Sequence, residues 1–85
     1  GSGIDAVEQT QLNVYPSVTT GQLVVTNPFA GTSTLCVYSI DGSLVKRINL
    51  GIGDNLLNFS DLGNGTYLVS LHNGATVVTS RIVKR

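Results

Sequence analysis

No stretch of this chain carries the three-to-four-residue apolar period of an amphipathic helix; its apolar residues alternate, or come in short runs between turn signals. That pattern predicts strands. Leu12 to Tyr15 reads as a short strand stopped by Pro16, and Gln22 to Thr26 as a second, stopped by Asn27-Pro28. Thr34 to Ile40 follows, then Asp41-Gly42, a two-residue hairpin signal because a type I′ turn needs positive φ at both positions. Ser43 to Leu50 returns from that turn. Gly51-Ile52-Gly53 breaks the ladder and Asn55 to Phe59 resumes it. Asp61 to Gly65 makes a loop. Thr66 to His72 is then a strand with Tyr67, Val69 and Leu71 on one face and Thr66, Ser70 and His72 on the other. Asn73-Gly74 is a second hairpin signal, and Ala75 to Lys84 closes the chain as a Val-rich strand.

About seven strands with such regular turns predict an all-β, immunoglobulin-like Greek-key β-sandwich of antiparallel strands. A single sheet of that size leaves an apolar face wet, whereas two packed sheets hide it. Leu62-Gly63-Asn64-Gly65-Thr66-Tyr67 has the form of a tyrosine corner, in which a hydroxyl at the start of a strand ties back the preceding loop. The 85 residues make one domain. A chain of this length buries about 60% of its unfolded surface, enough to fold alone with a thin margin. Residues 12–85 are expected to form the sandwich and residues 1–11 a linker or entry segment that orders against a sheet edge. Gly1-Ser2 in place of Met suggests a cloning remnant on a piece of a longer protein, preceded there by a folded domain.

Charge narrows the function. Charged residues are 12% of the chain and the net charge is zero, so no basic field draws nucleic acid or anionic lipid. One cysteine, Cys36, allows neither an internal disulfide nor a thiolate metal site. A small Thr-, Ser- and Gly-rich domain without disulfides fits a bacterial exported module. No apolar run approaches the ~20 residues of a helical membrane span. Nucleophilic catalysis would have to use His72, the one histidine, which reads as an exposed strand-end residue. Cys36 reads as a packed apolar group. Asp5, Glu8, Asp41, Asp54 and Asp61 are scattered and suggest neither a paired-carboxylate site nor a calcium loop. Gly51-Ile52-Gly53 lacks the third glycine and the helix of a dinucleotide site. No cofactor or metal is expected. Asn58-Phe59-Ser60 and Asn64-Gly65-Thr66 match the glycosylation sequon, which matters only in a eukaryotic secretory route.

Arg81, Lys84 and Arg85 are three of the five basic residues and fall in the last five positions. Strand alternation puts Arg81, Val83 and Arg85 on one face and Ile82 and Lys84 on the other. They read either as edge-strand charges that discourage aggregation or as a marked strand offered to a receptor by added strand pairing.

The order of these motifs resembles the type A C-terminal sorting domain of the type IX, or Por, secretion system. Gly3 to Val7 looks like its entry segment. Leu12-Asn13-Val14-Tyr15-Pro16 followed by Gly21-Gln22-Leu23 is similar to its Tyr-Pro-Asn-Pro…Gly-x-Leu signature. Val37 to Val45, with Asp41-Gly42 in the turn, resembles its apolar strand, glycine, apolar stretch. Leu62, Gly65 and Tyr67 match its Leu-x-x-Gly-x-Tyr motif, and Asn73-Gly74 with Arg81-Ile82-Val83-Lys84-Arg85 matches its last turn and basic end. Ser17-Val18 stands where the family usually has Asn-Pro.

The resemblance implies a C-terminal address label on an exported cargo such as a protease, adhesin or glycosidase of a Gram-negative bacterium. Its partners would be the fused cargo and the outer-membrane translocon, shuttle and sortase proteins of the system. The sortase would remove the domain near or before residues 3–11. The label itself would be no enzyme. Two further readings stand beside this one: a generic immunoglobulin-like spacer or adhesion module binding protein or glycan, and a catalytic domain completed by a partner chain. The long closing strand and the N-terminal segment also allow a strand-swapped homodimer.

Overall fold

The computed structural model describes residues 12–85, so the entry segment falls outside the described residues. Eight strands form: β1 Asn13–Tyr15, β2 Val18–Thr19, β3 Gln22–Asn27, β4 Ser33–Ser39, β5 Leu44–Leu50, β6 Gly53–Asn58, β7 Gly65–Asn73 and β8 Thr76–Lys84. They make two sheets, in the orders β1-β3-β6 and β2-β8-β7-β4-β5. The architecture is all-β and sandwich-like, consistent with an immunoglobulin-like fold.

Alternation fills the space between the sheets. Leu23 and Val25 from β3, Leu35 and Val37 from β4, Val69 and Leu71 from β7, and Ile82 from β8 are all buried. Phe59, just past β6, is the largest fully buried side chain and joins the two layers. Full burial of one such side chain is worth about 1.5–3 kcal/mol, and these residues supply most of the driving force.

Three expectations are corrected. The strands number eight, and the additional one, β2, runs parallel to β8, with Val18 opposite Val83 and Thr19 opposite Lys84. The chain leaves the small sheet after β1, passes the cis Tyr15–Pro16 peptide and joins the large sheet as β2. The Asp41-Gly42 turn is not type I′, because Gly42 has φ +95° while no residue other than glycine has positive φ among those described. Gly42 N–H donates to Ser39 O and Ser39 N–H to Ser43 O, which makes a three-residue loop closed by a glycine in the left-handed region. The Asp41 carboxylate accepts from the Ser39 hydroxyl and from Ser43 N–H, which sets the turn. Finally, Asn73 pairs with Thr76 across the other hairpin, so its two turn residues are Gly74, at φ +61°, and Ala75.

The crossing from β3 to β4 is held by one side chain. Asn27 is buried at 3% exposure, and its Nδ2 donates to Gly31 O and Gly51 O, both at 3.0 Å. Its Oδ1 accepts from Phe29 N–H and the Ser33 hydroxyl. A buried amide with every polar atom engaged fixes the loop without an unpaired group.

Candidate recognition site

β8 is an interior strand, not an edge. On one side it pairs with β7 from Gly65↔Lys84 to Asn73↔Thr76. On the other, Val83 N–H donates to Ser17 O and Arg85 N–H to Thr19 O, while Leu12 N–H donates to Thr79 O. The edge-strand reading is therefore corrected at the strand's end, where β2 covers Val83 to Arg85, while Arg81 falls between that contact and the one at Thr79. Lys84 turns inward and is buried, and its ammonium donates to the Arg85 carbonyl. Arg81 and Arg85 remain exposed.

The loop before β7 is tied to the same region. The Tyr67 hydroxyl donates to Gly63 O at 2.7 Å, which is the geometry of a tyrosine corner. Leu62 N–H donates to Phe59 O, so the loop closes on the core phenylalanine. Gly65, at φ +149°, starts β7 directly opposite Lys84. Gly21 lies next to this loop. A Cβ there would meet Ser60 Cβ at 3.2 Å, and Gly21 O accepts from Phe59 N–H, so only a glycine fits without displacement.

Register places most of the motif residues at one end of the sandwich. Ser39, which opens the Asp41-Gly42 hairpin, is opposite Tyr67, and Tyr67 is opposite Ile82. Pro16, Gly21, Asp41, Gly42, Leu62, Gly65 and Val83 to Arg85 therefore gather at the end where β8 finishes. Asn73-Gly74 lies at the opposite end. Tyr15 projects from β1 onto the outer face of the small sheet, where its hydroxyl donates to Asp54.

The groups weighed for catalysis are arranged otherwise than expected. His72 is half-buried, and its Nε2 lies 2.9 Å from the Ser70 hydroxyl. Cys36 is directly across from Ser70 on the outer face of the large sheet. This grouping lies on the outer side of the sheet, with Ser70 buried and His72 and Cys36 half-buried, and none of its hydrogen bonds among the described residues reaches a carboxylate. Asp41 serves its turn, Asp54 bonds Tyr15 and Thr26, and Asp61 pairs with Lys46. One groove runs between Leu12, Val14, Val18 and Arg81, a second beside Pro16, Thr19 and Gly21, and a third beside Ser33 and Asn49; His72 and Cys36 line none of these three. No cluster of three metal-ligating side chains occurs among the described residues.

Two carboxylates are held below their ordinary value of 3.8 and stay ionised into mild acid. For Asp41 the main cause is the hydrogen bond from Ser39, with Ser43 adding to it. For Asp61 it is the Lys46 ammonium, at 3.0 Å.

Comparison with protein families matches residues 13–85, which span all eight strands, to the secretion system C-terminal sorting domain. The chain belongs to that family. No curated protein matches it at a significant level. A sorting domain of this family is a C-terminal signal for type IX secretion, works with that machinery and rides on a cargo protein that is exported across the outer membrane. The family is not known for enzymes.

Proposed function

We propose that this sorting domain is a passive address label, without catalysis of its own, read chiefly at the end of the sandwich where β8 finishes. The observation that carries this reading is the gathering of Asp41-Gly42, the Leu62–Tyr67 corner and Val83 to Arg85 at one place, although they are far apart in the chain. A translocon or shuttle protein meets there two exposed arginines, a rigid corner and the short β2, whose two residues are the main cover on the outer side of the strand's end. Displacing β2 would expose Val83 and Arg85 N–H groups for pairing with a receptor strand. The sortase would cut near or before the linker of residues 3–11, after which the cargo is released or anchored at the surface.

The test is export of a reporter fused to the domain. Deleting Val83 to Arg85 should abolish it. That deletion also removes the bonds that hold β2, so Arg85→Glu, which keeps every backbone bond, separates recognition from folding. Export of both variants at the wild-type level would refute reading at this end.

A further inference from the structure

The outer face of the large sheet should be polar if it faces only water, since a solvated sheet face alternates toward polar side chains. One row departs from this. Arg81, Leu68 and Tyr38 stand opposite one another across β8, β7 and β4, and Leu44 on β5 is opposite Tyr38. The register shifts between Val37 and Tyr38, so Val45 is left as an extra residue beside Leu44. Leu68, Leu44 and Val45 are 46%, 51% and 41% exposed, and Ile40 at the tip of the same hairpin is 74% exposed. The next row is Thr79, Ser70, Cys36 and Arg47.

Charge tells what would cover this stripe. Arg81 closes it at one end and Arg47 borders it on β5, both exposed. Among the described residues the sole salt bridge is Lys46–Asp61, and neither arginine pairs with a described carboxylate. Asp41, on the hairpin that carries Ile40, is engaged by Ser39 and Ser43 in its turn. The small sheet differs: its outer row of Tyr15, half-buried Val24 and Leu56 has Asp54 beside it.

We infer that the outer face of the large sheet docks a folded protein whose matching patch is apolar at its centre and carries carboxylates at its rim. The apolar stripe supplies the contact that excludes water, and Arg47 and Arg81 set orientation and reject basic partners. A second copy of this chain would bring the same two arginines against each other. An anionic bilayer would have to cover the exposed Thr79 of the adjoining row, with two arginines as its only cations. A protein patch satisfies both constraints. The inference rests on the sorting reading and extends it to a face that adjoins the end where β8 finishes, sharing Arg81 and the β4–β5 hairpin with it.

The experiment again uses the reporter fusion in a secreting cell. Leu68→Glu and Arg47→Glu lie on β7 and β5, outside the Val83 to Arg85 segment, and both positions are exposed enough to keep the fold; the purified domains should show unchanged circular dichroism and urea midpoints. Export should fall at least tenfold for Leu68→Glu and severalfold for Arg47→Glu, with Leu68→Ile close to wild type. Export of the wild-type fusion alongside undiminished export of both variants overturns this inference alone. Failure of the wild-type fusion to leave the periplasm overturns the sorting reading and this inference together. A purified wild-type domain that dimerises through Leu68, or that binds phosphatidylglycerol vesicles while Leu68→Glu does not, assigns the face to another occupant and overturns it as well.

Discussion

Replacing Tyr67 by Phe removes one hydrogen bond and leaves the ring in place. Tyr67 is 8% exposed, and its hydroxyl reaches Gly63 O at 2.7 Å across the loop that enters β7. A hydrogen bond of this kind contributes about 0.5–1.5 kcal/mol net. Gly63 is exposed, so its carbonyl takes up water once the hydroxyl is gone, and the loss should stay near about 1 kcal/mol, short of the cost of a buried orphan. In a domain of this size that lowers the melting temperature by about 4–8 °C. Tyr67→Ala, which also empties part of the core, should cost about 3–5 kcal/mol. Urea titration at constant slope measures both. The loss should be local as well: the Leu62 amide, bonded to Phe59 O, should exchange faster in Tyr67→Phe, while Val69 follows only the global change. An unchanged midpoint together with unchanged exchange at Leu62 would refute the corner as the anchor of that loop.

Asn27→Asp keeps the shape but sets a carboxylate oxygen against two backbone carbonyls, those of Gly31 and Gly51; leaving even one such buried group unpaired costs about 1–3 kcal/mol, and the urea midpoint should fall accordingly, more at pH 7 than in acid, where the aspartate can protonate. The Asp61 carboxyl should titrate below 3.8 by NMR and return toward that value in Lys46→Met. Because its folded-state pKa is depressed, any stability the pair contributes is present above pH 3.8 and lost as the pH falls through the folded value.

Most strands are legible in the sequence because each buries one face and period two shows it, as in Tyr67, Val69 and Leu71. The corner is legible because its glycines and tyrosine are local. What depends on partners distant in the chain is not. Val18-Thr19 is too short to register as a strand, and it exists because β8 offers backbone groups beside it. Lys84 looks like part of an exposed basic tail; its inward turn follows from strand parity and from Gly65 lying opposite. The hairpin pair Asp41-Gly42 marks the place of a turn but not its type, since Asp41 stays at negative φ by bonding Ser39 and Ser43 through its side chain. The row from Arg81 to Leu44 spans four strands and needs the full register, including a one-residue shift, before its apolar character can be seen.

The parallel run of β2 beside the end of β8 has a mechanical meaning for a label towed by one end. The tether to a cargo leaves from the N-terminal side of β1 and β2, and on the proposed reading the opposing grip would fall on the C-terminal side of β8. Tension between those points acts along two strands that point the same way, so the Ser17–Val83 and Thr19–Arg85 bonds are sheared at the same time and are not unzipped in turn. Load-bearing of that kind resists a steady pull in one direction and yields easily to a sideways peel, a directional clasp made of two residues.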